Sequence, residues 1–362
     1  MTLPDISPLR QSSPKPDSQE RTSLAPAIDV HTHFVPENFP VLPQGCSEPT
    51  WPAMATADSC CHRHVMVKGS IYRTVTNQCW SGPQRIADMD GQGITRQALS
   101  PMPELLSYWM EARVAAILHR DLNEQMAALA LAYPDRFSVL AAVPLQDVDL
   151  AIAEMEHAAT VLRVAGVEIG SNINGRPIGA PEFIPFFEAA VRLGMAVFVH
   201  AIRPAGMERL IGPPALEQAL GFPNEIGFAA ASIITTSLKV RLPLLKIAFS
   251  HGGGSLAMLL PRLQHAWHCF PALRSSIEVA PVEQAKSFYY DTLVYDRDTL
   301  LFLLNRFGED ALMVGTDYPF SIMESDPLGR LLETGLDTSK VAKLRHGNAE
   351  KFLSHLVGKT SS

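Results

Sequence analysis

The sequence of 362 residues has few cysteines and no cluster of basic residues. Its five cysteines are an odd number without zinc-ribbon spacing, which fits a reducing cytosol better than a disulfide framework. We therefore expect a cytoplasmic protein in which the adjacent Cys60 and Cys61 are reduced thiols, with a surface metal site that includes His62 and His64 as the alternative. The formal charge of -7 predicts neither nucleic acid nor an anionic membrane surface as a partner.

Long apolar runs and internal repeats are also absent. The most apolar stretch, Gly227–Thr236, is about ten residues long, which is too short to cross a bilayer and predicts a buried helix. Residues 1–25 are rich in proline, serine and charge and contain no segment of signal-peptide length, so we expect a disordered tail there. The hydrophobic fraction of 47 % supports a sizeable core, and the length suits one large domain, expected over residues 26–358.

The sequence does contain four short segments that each place histidine or aspartate at the end of an apolar run. These runs end in His31 and His33, in His200, in His251 and in Asp317. Because such runs are typical of buried parallel strands, whose carboxyl ends meet at the mouth of a barrel, the side chains should converge. His31 and His33, two residues apart on an extended segment, point to the same side. Three imidazoles and one carboxylate, from His31, His33, His200 and Asp317, predict one Zn²⁺ or other divalent ion such as Mn²⁺ per chain.

Four further apolar runs bring the expected number of strands to eight. Amphipathic segments lie between the runs, so strands and helices alternate as a parallel barrel requires. The exception is the loop-rich segment 36–80 with a strand-like Val65–Val75, which we interpret as a cap over the mouth. The predicted fold is α/β, a distorted (β/α)8 TIM barrel with a small cap insertion after the first strand. The further strands are expected at residues 94–100, 139–143, 166–170 and 288–294, and helices at 111–133, 150–162, 181–193 and 223–238.

His251 and Asp317 each have more than one interpretation, and Glu168 bears on the number of metal ions. His251 could ligate the metal, or it could be a catalytic base that accepts a proton from a metal-bound water. The following Gly252–Gly254 favours the base, because glycines allow a substrate to approach the backbone, although a turn without a role is the alternative. Asp317 could be a helix N-cap, but three histidines nearby favour a ligand or a catalytic partner of the water's proton. Glu168 ends the fourth strand, where two-metal barrels carry a bridging carboxylated lysine, so one ion is expected.

The motifs around these residues resemble those of the amidohydrolase superfamily and, within it, the aminocarboxymuconate-semialdehyde decarboxylase family. The resemblance covers residues 27–356. It implies a metal-dependent, non-oxidative decarboxylase in which the four predicted ligands bind zinc and the residue matching His251 activates the metal-bound water. The matching motifs are His31-Thr-His33-Phe, Cys79-Trp80 through Arg85-Ile-Ala-Asp-Met-Asp90, Gln97-Ala-Leu-Ser100, Pro134-Asp-Arg-Phe137, Val143-Pro-Leu-Gln-Asp147, His251-Gly-Gly-Gly254, Gly315-Thr-Asp-Tyr-Pro-Phe320 and Gly347-Asn-Ala349.

Three arginines are candidates for substrate binding, because the planar guanidinium matches a carboxylate in two hydrogen bonds. The resemblance implies that Arg73 and Arg262 bind the carboxylate of a small-molecule substrate, Arg262 across the interface of a homodimer. For each alone, a solvated surface charge is the alternative. The chain departs from the family after His200, where Ala-Ile-Arg203 replaces the usual Pro-Trp-Asp, and at Pro261, which replaces a glycine. Arg203 could therefore meet a further acidic or phenolate group, or pair with a loop carboxylate, and we expect a substrate other than the family's namesake.

Three classes of function are compatible with these residues. The first is decarboxylation of an aromatic carboxylic acid or of a carboxymuconate-semialdehyde-like ring-cleavage product. The second is hydrolysis of an amide, lactone or enamine, because the same metal-activated water can attack such carbons. The third is a metal-binding protein without catalysis. The protein itself would then have to fill the open coordination position, and no extra cysteine or histidine near the four segments suggests this. The two arginines of the family pattern suit a substrate with a carboxylate and favour the carbon–carbon lyase.

Overall fold

The computed structural model describes residues 26–354 apart from 58 and 60. The tail predicted at residues 1–25, the end of the predicted domain at 355–358 and Cys60 of the predicted thiol pair lie outside the described residues. None of the described helices is long and apolar enough to cross a membrane.

Thirteen strands are found along the described chain. They are β1 Ile28–Phe34, β2 Ala53–Thr56, β3 His62–Val67, β4 Ser70–Thr76, β5 Arg96–Pro101, β6 Phe137–Ala142, β7 Gly166–Gly170, β8 Asn172–Ile173, β9 Arg176–Pro177, β10 Ala196–His200, β11 Lys246–Phe249, β12 Tyr289–Asp291 and β13 Leu312–Met313.

The α-helices alternate with the strands, and some of them begin at a capping side chain. The helix after the insertion, for example, follows Ser81, whose side chain accepts a hydrogen bond from the amide of Gln84, and ends at Gly93 with φ 71°. The helices are α1 Gly82–Gln92, α2 Ala112–Ala132, α3 Val148–Thr160, α4 Ile184–Leu193, α5 Phe222–Thr235, α6 Leu238–Arg241, α7 Leu256–Cys269, α8 Pro271–Ser276, α9 Pro281–Ala285, α10 Arg297–Phe307, α11 Pro327–Glu333, α12 Thr338–Ala342 and α13 Asn348–Leu353.

Eight parallel strands form the predicted barrel, in the order β1-β5-β6-β7-β10-β11-β12-β13. The barrel closes between its first and last strands, where the Val30 amide donates to the Val314 carbonyl at 2.9 Å and Thr32 forms a parallel bridge with Tyr318. All eight predicted strands are confirmed, with ends displaced by a few residues. Because the strands are parallel and consecutive, their carboxyl ends lie on one face of the barrel.

The core has two layers, one inside the barrel and one between barrel and helices. Ile28, Val30, Ala98 and Phe198 fill the barrel interior, and Phe352 of α13 packs against the same cluster. A larger cluster joins the outer faces of the strands to the helices. Gly227–Thr236 belongs mostly to α5, and its residues Ile233 and Ile234 are fully buried, as predicted. These layers fix the strand ends that carry the polar residues.

The segment after β1 contains a small antiparallel sheet of three strands, β2-β3-β4. The expectation of one strand over Val65–Val75 is wrong, because Lys68 and Gly69 both adopt positive φ and turn the chain into the β3–β4 hairpin. Val65 and Val75 are buried under this sheet and pack against Leu118 and Leu122 of α2. The sheet thus sits firmly on the barrel, and β4 contributes Tyr72 and Arg73 to the pocket described next.

Candidate metal centre and substrate pocket

Four of the predicted residues come together at the carboxyl face of the barrel. His31 and His33 belong to β1, His200 is the last residue of β10, and Asp317 follows β13. One ligand atom from each of the four lies within 4.8 Å of those of the others, and all four residues are buried. The histidine pair therefore lies within its strand rather than after it, and the alternative of Asp317 as a helix N-cap is wrong, because no helix begins there.

The three histidines present the same ring nitrogen to the centre. Nδ1 of His31 lies 2.7 Å from Asp291 Oδ2, Nδ1 of His33 lies 3.2 Å from the Pro101 carbonyl, and Nδ1 of His200 lies 2.8 Å from the Ala201 carbonyl. Because each of these oxygens accepts a hydrogen bond from a proton on Nδ1, Nε2 of each neutral ring keeps its lone pair. A set of three such nitrogens is what a divalent metal requires.

The remaining contacts of these nitrogens support a cation. His33 Nε2 lies 2.8 Å from Asp317 Oδ1, and His31 Nε2 lies 3.5 Å from the same oxygen. Nε2 of His31 and Nε2 of His200 are buried and have no hydrogen-bond partner among the described residues. Buried polar atoms normally have partners, so two orphaned nitrogens beside one carboxylate fit a metal ion that binds them together.

The electrostatic environment favours positive charge at this place. Burial lowers the pKa of His31, but the hydrogen bond and charge of Asp291, with the charge of Asp317, outweigh it and raise the pKa to about 9. Burial also opposes ionisation of Asp317, yet the hydrogen bond with His33 holds the pKa of Asp317 below its ordinary value. The pKa of His200 lies well below the ordinary value because of burial and of the neighbouring histidines. The negative groups that favour a proton on His31 would favour a metal ion as well.

Glu168 lies deeper and is not one of the four converging residues. It is the third residue of β7, which continues to Gly170, so the expectation that Glu168 ends the strand is wrong. Burial raises the pKa of the Glu168 carboxyl to about 8, which keeps it neutral at pH 7. A neutral carboxyl is a poor metal ligand.

His251 adjoins the four residues without belonging to them. Its ring centroid lies 5.4 Å from that of His31 and 5.3 Å from that of His200. Burial, followed by the charge of His31, lowers the pKa of His251 to about 4, so the ring is neutral and able to accept a proton. Nδ1 of His251 lies 3.4 Å from Ser250 Oγ, which leaves Nε2 for a reactant. This arrangement favours the base over the ligand.

The glycines after His251 serve mainly to pack the turn. A Cβ on Gly252 would meet Leu303 at 2.6 Å, and a Cβ on Gly254 would overlap the carbonyl of Pro223. All three glycines have positive φ, which favours glycine further. Of the three, only Gly254 lines the pocket, and the approach of a substrate to the triplet stays a prediction.

Asp291, at the end of β12, is the functional residue that the sequence reasoning missed. Besides contacting His31, its Oδ2 accepts a hydrogen bond from the amide of His251 at 2.9 Å, and its Oδ1 accepts one from the amide of Gly252 at 2.7 Å. One carboxylate therefore orients a metal-binding histidine and the turn that carries the base. The sequence analysis placed Asp291 inside an expected strand over residues 288–294, whereas β12 ends at this residue.

A cavity of about 310 Å³ opens above these residues. The Arg73 guanidinium lies 4.1 Å above the Phe320 ring, which stacks on His33 with centroids 5.0 Å apart. Arg203 also lines the cavity, but it lies 3.3 Å above the Trp109 ring and 3.4 Å from Glu104 Oε1, so the loop-carboxylate alternative is the one observed. Arg262 is exposed on α7 and does not line the cavity of its own chain.

Comparison with known proteins places this geometry in a family. A family model described as amidohydrolase matches residues 28–354. A 2-amino-3-carboxymuconate-6-semialdehyde decarboxylase from Dictyostelium discoideum is 34% identical over 330 residues, which cover 90% of this chain and 91% of the relative.

Solved structures have the same fold. The apo structure of IDCase from Metarhizium anisopliae superposes with a TM-score of 0.76 at 21% identity, over 92% of this chain and 98% of that one. The 5-carboxyvanillate decarboxylase from Novosphingobium aromaticivorans, complexed with manganese and 4-hydroxy-3-methoxy-5-nitrobenzoic acid, gives a TM-score of 0.68 at 26% identity over 76% and 81%. The chain belongs to the amidohydrolase superfamily and, within it, to the aminocarboxymuconate-semialdehyde decarboxylase-like family.

Proposed function

We propose that this protein is a metal-dependent, non-oxidative decarboxylase of an aromatic carboxylic acid or of a carboxymuconate-semialdehyde-like ring-cleavage product. The observation that carries this proposal is one pocket that combines three inward-facing imidazole nitrogens, the Asp317 carboxylate, a neutral His251 and the guanidinium of Arg73. The ion proposed for His31, His33, His200 and Asp317 is one Zn²⁺ per chain, because three of the four donors are imidazoles. Such an ion, when bound, supplies a Lewis acid and lowers the pKa of water.

The residues of the chain have separable tasks in this reaction. Arg73 binds a substrate carboxylate, since no carboxylate of the described part of the chain pairs with its guanidinium. His251 accepts a proton from water at Nε2 and delivers it to the ring carbon that bears the leaving carboxylate, and the hydroxide left behind takes up a proton from solvent. The electron pair of the breaking carbon–carbon bond returns to the ring as CO₂ leaves. Hydrogen thus replaces the carboxylate without net oxidation or reduction.

Hydrolysis of an amide, lactone or enamine is the second candidate. The same base and ion could direct water to a carbonyl carbon. The Arg73 position favours the decarboxylase, because a hydrolase substrate of these classes needs no carboxylate. CO₂ release from a panel of hydroxybenzoates, aminobenzoates and muconate semialdehydes tests the choice. We expect CO₂ from at least one zinc-loaded reaction, at a rate about 10²–10⁴-fold lower with His251→Asn, whereas hydrolysis products without CO₂ would contradict the decarboxylase.

We also propose that the active form is a homodimer in which Arg262 contributes to the pocket of the partner subunit. Arg262 lies on α7, where the neighbouring Met258 is 71% and Leu259 50% exposed, and Phe228 on the adjoining α5 is 67% exposed. An exposed apolar face of this kind is typical of a subunit interface. The exposed arginine on the same helix would then be brought to a neighbouring chain.

Mixing two inactive variants tests the shared site. Chains with Arg73→Ala mixed with chains with Arg262→Ala should regain activity, because half of the sites in a heterodimer then hold both arginines. Each parent alone should be weak, since loss of a charged carboxylate contact costs about 1.5–3 kcal/mol. Heterodimers that form without regaining activity would contradict the shared site.

A cytoplasmic location is proposed from the odd number of cysteines. Fractionation of cells that express the tagged full chain should find it in the cytosolic fraction, and recovery in a secreted or membrane fraction would contradict the location.

A further inference from the structure

The side of the pocket next to His200 carries charges that the reaction itself does not use. Arg203, Glu104 and Glu217 all line the cavity there, together with Tyr72 of the cap sheet. The contacts that these side chains make without a ligand indicate which substituents of a substrate fit among them.

The loop that carries Arg203 is held in place by buried hydrogen bonds. Asn172 Nδ2 donates to the Ile202 carbonyl at 2.8 Å and to Glu225 Oε1 at 2.8 Å. Glu225 Oε2 accepts a hydrogen bond from the amide of Ala205 at 3.2 Å, so the chain is fixed on both sides of Arg203. The position of the guanidinium is therefore set by the fold before any ligand arrives.

The charge of Arg203 is already compensated. Its guanidinium lies flat on Trp109 at 3.3 Å, and its Nη2 lies 3.4 Å from Glu104 Oε1. Trp109 is in turn held by the hydrogen bond that its indole N–H donates to Thr50 Oγ1 at 3.2 Å. Because Arg203 already stacks on Trp109 and pairs with Glu104, its guanidinium attracts a second anion only weakly.

Glu217 adds a second negative charge, on an exposed residue that lines the pocket. It belongs to the π-helical turn Glu217–Gly221 and, within the described part of the chain, forms no ion pair or hydrogen bond. Burial and then the negative charge of Glu104 raise its pKa above the ordinary value, which is consistent with two carboxylates close to a single guanidinium. The two acids thus outnumber Arg203 at this place, whereas Arg73 lies over Phe320 near His33 and has no acidic partner in the part of the chain that the structure describes.

We infer that Glu104 and Glu217, which line the pocket beside Arg203, are specificity-determining residues that select substrates bearing a hydrogen-bond donor, amino or hydroxyl, and reject those bearing a second carboxylate at this position. The inference deepens the proposed function and rests on it for the orientation of the carboxylate at Arg73. Like charges repel even where, as at Glu217, the side chain is exposed to solvent, and rejection of this kind needs no contact with the preferred substrate.

Equilibrium binding tests the inference independently of turnover. The probes are 3- and 4-aminobenzoate, 3- and 4-hydroxybenzoate, isophthalate and terephthalate, each titrated calorimetrically into the zinc-loaded full chain, with CO₂ recorded in the same samples. We expect the better amino or hydroxy acid to bind at least about tenfold more tightly than the dicarboxylate with the same substitution pattern. Glu104→Gln combined with Glu217→Gln should reduce this ratio to less than about threefold, because the repulsion is removed.

Two further variants complete the design. Arg203→Gln removes the compensating cation and should widen the ratio, which keeps the test available if the double variant does not fold. Glu208→Gln, an exposed acid on the same loop that does not line the cavity, should leave the ratio unchanged.

Three results would overturn the inference: dicarboxylates that bind as tightly as the amino and hydroxy acids, a ratio that the double variant does not change, or no binding by any probe. The expected binding ratios without CO₂ from any acid would support the inference while counting against the proposed reaction.

Discussion

Replacement of Asp291 by asparagine should weaken zinc binding and activity, although Asp291 is not itself one of the proposed metal ligands. The two oxygens of Asp291 face four donors in pairs: Oδ2 faces His31 Nδ1 and the amide of His251, and Oδ1 faces the amides of Gly252 and Leu293. An asparagine must place its NH₂ group against one of these pairs. In either orientation two donors lose their acceptor, although the side chain keeps its size.

The cost follows from which pair is lost. With NH₂ towards His31, the ring is driven to the tautomer with a proton on Nε2, which blocks the metal, and loss of such a supporting partner typically costs 10–100-fold in metal affinity. With NH₂ towards Gly252, two buried amides are left unsatisfied at about 1–3 kcal/mol each, and the turn that holds His251 loosens.

We therefore expect Asp291→Asn to bind zinc about 10–100-fold more weakly in competition with a chromophoric chelator and to lose activity even at saturating zinc. Asp298→Asn is the matched control, because Asp298 is an exposed acid whose side chain pairs with Arg297 away from the site. Zinc affinity and turnover equal to those of the unaltered protein would refute the reasoning.

Three other predictions concern His251, Arg73 and His119. His251→Asn should keep its zinc and lose about 10²–10⁴-fold in rate, as a lost general base does, and loss of the metal would make His251 a ligand instead. Arg73→Ala should raise KM for the carboxylate substrate more than it lowers kcat. Unchanged kinetics would show that Arg73 does not bind the substrate. His119 is buried and donates to the carbonyls of Leu105 and Leu106, and burial lowers its pKa to about 4. Because the unfolded chain then binds the extra proton between pH 6.5 and 4, stability should fall by roughly 3 kcal/mol as the pH drops through that range. His119→Gln, which keeps a donor, should flatten the pH dependence of unfolding measured with urea, and an unchanged slope would show that His119 is not the group responsible.

The barrel and the convergence of the four proposed metal ligands could be predicted because each depends on local sequence. Buried parallel strands leave continuous apolar runs, and the rule that active residues stand at their carboxyl ends brings His31, His200 and Asp317 together without knowledge of the helices. The same motifs identified a metal-dependent carboxy-lyase of the amidohydrolase type, and the relatives confirm that reading.

The remaining features depend on contacts between distant segments. Asp291 could not be distinguished from an ordinary strand-end aspartate until its 2.7 Å contact with His31, 260 residues away, was known. The partner of Arg203 was undecided for the same reason, because Glu104 lies 99 residues earlier in the chain. The hairpin between β3 and β4 was missed because the turn at Lys68-Gly69 interrupts a run that otherwise reads as one strand.

The most direct test of the account is to return zinc stepwise to chelated protein while CO₂ release from its best aromatic acid substrate is measured. The account predicts that the rate rises in proportion to bound zinc, saturates at one ion per chain and is about 10²–10⁴-fold lower in His251→Asn, which should bind the same single ion. Full activity of the chelated protein, or a rate that keeps rising until two ions are bound, would contradict a single centre formed by His31, His33, His200 and Asp317.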